Sequence, residues 1–394
     1  MAERAPLLVF SDDWGRHPSS CQHLIRHLLP RRTVIWVNTI GTRSPRLNWK
    51  TIVRGWGKLR RWLGPSMNPD TPEHRGPATA TGPITAPRVL DPKMWPSFRS
   101  RFSRSLNCRL LLRALRPVVD TLPADPIVVT TLPLVADLVG KLRAARWVYY
   151  CVDNFSVWPG LDSRTLQQME AELVPRVNTV IAVSETLRAH IAQLGQSAQL
   201  LTHGVDVAFW RAVPGDPPRS LPGVAALPQP LVVYWGVVDR RLDVAFVAAL
   251  AAAMSEGTIL LVGPRDEPDP ALLRLPRVRL LPPLPLTDLP ALAYHAGALI
   301  APYADGPVTQ AIQPLKLKEY LATGKPVIAR RLPATAEWAD AADIVDTAAA
   351  FAEAVRQRLA SGVPEPQLHA RGRLAAESWA AKAQQFERWI DNAV

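Results

Sequence analysis

The sequence predicts an α/β chain made of two Rossmann-like domains that face each other across a cleft. Three observations carry this. An apolar run, a polar loop, a helical stretch and a second apolar run follow one another over 7–38. The same alternation restarts after a stretch rich in Pro and Gly at 207–229. Residues 314–329 read as a helix of about ten residues that feeds a short buried strand.

Taken in order, Leu7–Phe10 is the first strand. The polar loop after it holds Trp14, Gly15, Arg16 and His17, and Ser19 or Ser20 can cap a helix that runs to about Leu29. Thr33–Asn38 is the second strand; Pro126–Thr130 and Arg146–Val152 follow, the latter ending at Asp153 and Asn154. Ligands of such sheets bind beyond the carboxyl ends of the strands, so the loop 11–18 and Asp153 are expected at the cleft. Glu170–Val174 lies on a helix, Thr179–Val183 is a strand, and Ser184 caps the next helix. Leu201–Asp206 reads as a turn closing the first domain, with Gly204 at positive φ.

The second half holds strands at Leu231–Trp235, ending in Gly236, and at Thr258–Val262, ending in Gly263. Val278–Leu281 and Ala298–Ala301 are further strands, and helices intervene at about 243–254, 288–296 and 315–323. The last segment, Leu368–Ile390, reads as one helix. The domains expected are 1–206, with a basic insert at 43–116, then 207–375, then a C-terminal helix over 376–394.

At 394 residues, 48% hydrophobic and 20% charged, the chain is globular and long enough for two domains. Three dispersed cysteines, without a CxxC pair, favour neither a disulfide framework nor a zinc site, and fit a reducing cytoplasm. No signal peptide is read at Met1–Pro6, and no apolar run is long enough to span a bilayer. The net charge of +12 is unevenly placed: residues 1–120 carry 21 Lys+Arg against 7 Asp+Glu. Such asymmetry points to a polyanionic surface as partner.

The basic end has a pattern. Trp49, Ile52, Val53, Trp56, Leu59 and Trp62 recur at helical spacing, with Lys50, Arg54, Lys58, Arg60 and Arg61 between them. A cationic, Trp-rich amphipathic segment suits an anionic membrane surface. Trp49, Trp56, Trp62, Lys58, Arg60 and Arg61 are the expected membrane contacts. A second such segment spans Met94–Leu111, with Trp95, Phe98 and Phe102 among arginines. The expected location is the cytoplasm, peripheral on the inner face of the cytoplasmic membrane.

The helix starting near Pro314 offers free backbone N–H groups at its N-terminus, with Lys316 and Lys318 nearby: a site for a diphosphate. Glu319, one turn on, can accept hydrogen bonds from sugar hydroxyls. Pro314, Lys316, Glu319, Ala322, Gly324, Pro326 and Val327 together resemble the donor-binding signature of GT-B glycosyltransferases, especially the group-1 or family-4 class. The resemblance implies that Glu319 binds the ribose of a nucleotide-sugar, that the backbone at Pro314, Leu315 and Lys316 holds its diphosphate, and that the C-terminal helix returns to pack on the N-terminal domain. It implies further donor contacts at Gly236, Gly263 and Arg240 or Arg241, because Val237 stands where relatives often place Arg. Ala311 stands where many relatives have an acid, with Gln310 or Gln313 as substitutes.

Trp14, His17, Pro18, Gln22, His23 and Leu24 resemble the first loop of cell-wall glycosyltransferases similar to those of teichuronic acid synthesis. This puts Trp14, Gly15 and Arg16 on the acceptor side and Asp153 and His17 near the chemistry. The implied activity is transfer of a sugar from a nucleoside-diphosphate-sugar to a lipid-linked or cell-envelope glycan acceptor, with retention, without metal and without cofactor beyond the nucleotide-sugar itself. Nucleic acid is not an expected partner. Two alternatives stay open: a nucleotide-sugar epimerase of the same fold, and a non-enzymatic polyanion-binding protein.

Overall fold

A computed structural model describes residues 4–16, 19–38, 86–155, 157, 161–212, 221 and 223–392. His17 and the segment holding Trp49, Trp56, Lys58, Arg60, Arg61 and Trp62 lie outside the described residues.

In the first domain β1 (Leu7–Ser11) is followed by α1 (Ser20–Leu28), whose N-cap Ser19 accepts a hydrogen bond from the Gln22 N–H. Next come β2 (Val34–Asn38), β3 (Arg88–Leu90), α2 (Arg101–Val119), β4 (Ile127–Thr130), β5 (Arg146–Cys151) and α3 (Ser163–Leu173). Then follow β6 (Thr179–Ala182), α4 (Glu185–Gln193), capped by Ser184, and β7 (Gln199–Leu200); past Asp206 the chain enters the second domain, on whose core α5 (Val207–Arg211) packs. The seven strands form one parallel sheet in the order β3-β2-β1-β4-β5-β6-β7. Strands β1 and β4 are buried throughout and apolar up to their last residues, Ser11 and Thr130, because both faces of a parallel sheet are covered by helices.

The second domain holds β8 (Leu231–Trp235), β9 (Val238–Asp239), α6 (Val244–Ala253), β10 (Thr258–Val262), β11 (Arg265–Asp266), β12 (Val278–Leu281), α7 (Leu289–His295) and β13 (Ala298–Ala301). It continues with α8 (Pro307–Ala311), α9 (Leu315–Ala322), β14 (Val327–Arg330), α10 (Pro333–Ala336), β15 (Asp343–Val345), α11 (Ala348–Ser361) and α12 (Glu365–Ala370). Six strands form a second parallel sheet, β12-β10-β8-β13-β14-β15, and β9 pairs separately with β11. In each large sheet the strand order reverses beside the domain's first strand, at β1/β4 and at β8/β13. Those crevices are where such sheets take ligands.

The C-terminal segment differs from the single helix expected over Leu368–Ile390. α12 ends at Ala370, a 3-10 stretch runs over Arg371–Glu377, and a new helix, α13 (Trp379–Asp391), starts from the N-cap Ser378. Gly372 weakens helix continuation, and the serine cap restarts it in a new direction. That direction returns α13 to the first domain, where Trp379, Ala383, Phe386 and Ile390 join its core. Arg32, buried in that domain, donates to Glu387 at 3.0 Å and to Asp391. Gly204 also departs from expectation. It is absent from the positive-φ residues; what it needs is space, since a Cβ there would stand 2.7 Å from the Trp379 ring.

Candidate functional site

The N-terminal end of α9 meets the first domain. Pro314 is the N-cap rather than a residue of the first turn, and no side chain caps the helix. The Leu317 N–H turns back to the Pro314 carbonyl at 3.2 Å, which leaves Leu315 and Lys316 to present their N–H groups. Leu315 packs against the core of the first domain. Nearby, Ser184 Oγ donates to the Ala311 carbonyl at 3.0 Å and Thr186 Oγ1 to the Gln310 carbonyl at 3.2 Å. The helix end therefore lies at the gap between the domains.

Glu319 is held by β8. The indole Nε1 of Trp235 donates to Glu319 Oε2 at 3.4 Å. Trp235 is itself pinned: its N–H donates to the Tyr320 hydroxyl at 3.0 Å, that hydroxyl donates to the Trp235 carbonyl at 3.3 Å, and the two rings meet edge to face at 4.3 Å. On its other side the indole stacks on Trp210. Burial pushes the Glu319 carboxyl up, while Lys316 and the indole hold it down. A half-buried carboxylate in this setting is ready to accept hydroxyl donors from a ligand.

Beyond Trp235 the chain turns at Gly236, φ +145°, under the Lys316 side chain. A Cβ on Gly236 would lie 2.3 Å from Lys316 Cε, 2.7 Å from Nζ and 2.8 Å from the Tyr234 hydroxyl. Gly263, φ +147°, stands directly against it: a Cβ there would be 1.9 Å from the Gly236 carbonyl oxygen. Both glycines are thus required by close approach at the carboxyl ends of β8 and β10. Lys316 occupies the space above the turn, beside the position where Val237 replaces arginine.

Of the two arginines, Arg240 is exposed, whereas Arg241 is largely buried and forms a two-oxygen pair with Asp239 at 3.0 and 2.9 Å. Arg241 faces Asp153 across the cleft. Burial pushes the Asp153 carboxyl up to about 7, with Arg241 pulling the other way. Lys318 is a correction to the expected anion site. A helix turns its residues 316 and 318 to different sides, and Lys318 points away into a buried ion pair with Glu377. The Gln310 amide donates to Asp305, and Gln313 is buried, with Oε1 lacking a hydrogen-bond partner.

In the first domain the loop after β1 is shaped by residues that sequence reading did not single out as site residues. The Asp12 carboxylate accepts from Ser11 Oγ (2.9 Å), Ser19 Oγ (2.9 Å) and Gln22 Nε2 (2.8 Å). Burial pushes the Asp12 carboxyl up, and these hydrogen bonds resist. Gln22 Oε1 in turn takes the Gly15 N–H at 3.1 Å, and Asn38 takes the Trp14 N–H at 3.0 Å. Gly15 sits at φ +77°. Trp14 packs edge to face on Trp36, under the Arg26 guanidinium. Arg16 extends from this frame and pairs with Asp13 at 3.1 Å. His23 stacks on Trp379 at 4.5 Å, and burial lowers it to about 3, so it serves packing as a neutral ring.

The structure thus brings Pro314, Leu315, Lys316, Glu319, Gly236, Gly263 and Arg241 together at the β8/β13 crevice and sets Asp153 opposite. Trp235 is the member of this group that sequence reading missed; its place just before Gly236, at the end of the domain's first strand, was the available signal. Among the described residues there is no group of three or more His, Cys, Asp or Glu able to hold a metal ion, and no helix long and apolar enough to cross a membrane.

Residues 229–361 match the family described as "Glycosyl transferases group 1". The putative teichuronic acid biosynthesis glycosyltransferase TuaH of Bacillus subtilis (strain 168) is 28% identical over 183 residues. That match spans 44% of this chain and 45% of the relative's length. Among solved structures, sucrose-phosphate synthase from Thermosynechococcus elongatus covers 98% of this chain, and is itself covered to 98%, with TM-score 0.68 at 18% identity. Anabaena Alr3699/HepE in complex with UDP-glucose gives TM-score 0.67 at 14% identity, covering 98% of this chain and 99% of its own. At such identities these likenesses show the fold, and the fold is GT-B, as expected from the sequence.

Proposed function

We propose that this chain, a GT-B protein whose second domain is of the group 1 glycosyl transferase kind, transfers a sugar from a nucleoside-diphosphate-sugar to a lipid-linked or cell-envelope glycan acceptor. One observation carries the reading: Glu319, held by Trp235, stands beside an uncapped helix end, with Lys316 laid over the Gly236 turn. Ribose hydroxyls donate to Glu319. The diphosphate takes the Leu315 and Lys316 N–H groups. The Lys316 ammonium and the Arg241 guanidinium oppose the charge that grows on the leaving diphosphate. Asp153 contacts the sugar from the opposite wall, and Trp14, Gly15 and Arg16 line the acceptor side. Transfer proceeds with retention and without metal, the leaving phosphate taking the acceptor proton. UDP is the probe of choice, because HepE has been solved with UDP and with UDP-glucose.

The acceptor class and a peripheral place on an anionic membrane are supported by the TuaH likeness and by the surface of the first domain. Trp95 is 51% and Phe102 79% exposed, beside the exposed Arg99 and Arg101. Exposed aromatics among arginines suit a lipid headgroup layer. Anionic liposomes should float the protein, and neutral ones should not.

The test of activity is nucleoside diphosphate release from a panel of nucleotide-sugars. Glu319→Ala removes charged hydrogen bonds of about 1.5–3 kcal/mol, so kcat/KM should fall about tenfold to a hundredfold. Equal rates in both proteins would remove Glu319 from the site. A free epimer formed without acceptor would identify an epimerase instead.

A further inference from the structure

The chain passes between the domains twice, at Thr202–Asp206 and at Glu377–Ser378, and the two passages are fastened together. Val205 bridges Ser378 in parallel, and its N–H donates to the Glu377 carbonyl at 2.9 Å. Gly204 lies flat on Trp379, so the crossing strands touch backbone to ring. Into this double crossing one side chain reaches from α9. Lys318, 3% exposed, donates to the His203 carbonyl at 2.6 Å and to Thr202 Oγ1 at 3.1 Å, and pairs with the Glu377 carboxylate. All three donors of the ammonium are therefore used. Lys382, from α13, holds the same two partners: Glu377 at 2.8 Å and Thr202 Oγ1 at 3.0 Å. Thr202 Oγ1 in turn donates to Glu377 at 3.2 Å.

Lys318 directly precedes Glu319 on a helix of eight residues. One face of α9 thus meets the donor while the adjacent face is bolted to the crossing. A helix this short moves as a rigid piece, so a shift at either face is felt at the other. A buried charge with matched partners has one arrangement much better than its neighbours, which makes it a register device more than a source of stability.

We propose that Lys318 is a positioning residue that couples the donor helix to the interdomain crossing, so that nucleotide binding at the end of α9 sets the angle between the domains. The proposal rests on the nucleotide-sugar reading above. Lys318→Met keeps the stem length and leaves Glu377 paired with Lys382; Lys318→Arg restores the charge.

The experiment measures three quantities on the full chain: the UDP dissociation constant, the change in radius of gyration by X-ray scattering when UDP is added, and kcat and KM for UDP release. Wild type should bind UDP and contract. Lys318→Met should bind UDP within about threefold of wild type, lose the contraction, and lose at least tenfold in kcat; Lys318→Arg should recover part of both. A residue that only stabilised the fold would leave the contraction intact once the protein was folded. Should Lys318→Met prove insoluble, Thr202→Val, which removes the shared hydroxyl, should show the same loss in weaker form. Wild-type contraction and kcat in Lys318→Met, or in Thr202→Val where that variant stands in, overturn the coupling and leave the nucleotide-sugar reading standing. Failure of the wild type to bind any nucleoside diphosphate overturns both.

Discussion

Alanine at Gly236 and alanine at Gly263 should fail in different ways. At Gly236 the new methyl meets the far end of a flexible side chain, Lys316 Cε at 2.3 Å and Nζ at 2.7 Å. Lys316 can swing off the turn; the buried Tyr234 hydroxyl, 2.8 Å from the new methyl, must also give by a few tenths of an ångström, and a side chain at φ +145° costs about 1–3 kcal/mol. Once displaced, the ammonium no longer opposes the charge on the leaving group. Loss of one such preorganised donor is worth about 10²–10³ in kcat. Gly236→Ala should therefore fold, with a modestly lower midpoint, and approach Lys316→Met in rate. At Gly263 the methyl meets the Gly236 carbonyl oxygen at 1.9 Å, and only separation of β8 from β10 relieves it. That places Gly263→Ala in the rare class of substitutions costing more than about 4 kcal/mol. Urea denaturation and initial rates of UDP release on the three variants decide the matter. Wild-type kcat in Gly236→Ala alongside a disabled Lys316→Met would refute the placement of Lys316 over the turn.

Three further outcomes follow from the charges. With its carboxyl raised to about 7 by burial, Asp153 is protonated below that pH; if the ionised form serves transfer, kcat/KM should fall as pH drops through 7, and Asp153→Asn should flatten the profile. The Glu170 carboxylate, bonded at 2.9 Å, raises His190, so their pairing stabilises the fold fully below the ordinary histidine value of 6.5 and is lost as pH rises past the raised value. The gap between the thermal melts of Glu170→Gln and wild type should narrow as pH rises, leaving a remainder from the Tyr149 hydroxyl, which also donates to Glu170 at 2.6 Å. Arg32→Met should cost about 1.5–3 kcal/mol, because its fully buried guanidinium bridges Glu387 and Asp391 while Arg4 and Arg31 keep Glu387 partnered, and should loosen α13 from the first domain in hydrogen exchange.

Much of the donor half was legible because its signals are local. Pro314, Gly324 and Pro326 bracket a helix within a dozen residues, and β8, β10 and β13 are apolar runs ending in loops. Lys318 was misread because helical spacing alone separates it from Lys316, and only the path of the distant 202–206 and 377–378 crossings shows where it goes. Trp235 and Lys316 act through contacts made about 80 residues apart, as the 84-residue separation of the indole from Glu319 shows, and no local pattern reveals those. The frame of Asp12, Gln22 and Asn38 is of the same kind: three polar residues on a loop, a helix and a strand converge only when the sheet forms. The C-terminal helix was drawn too long because the hydrophobic period continues through a change of direction that the serine cap at 378 marks.

In the proposed site one short helix holds a nucleoside diphosphate by two separable contacts, ribose at Glu319 and phosphates at Lys316. Calorimetric titration of UDP and of inorganic pyrophosphate into wild type, Glu319→Gln and Lys316→Met tests it most directly. Glu319→Gln should weaken UDP by about tenfold or more and leave pyrophosphate unchanged, whereas Lys316→Met should weaken both. UDP affinity untouched by both substitutions would contradict it.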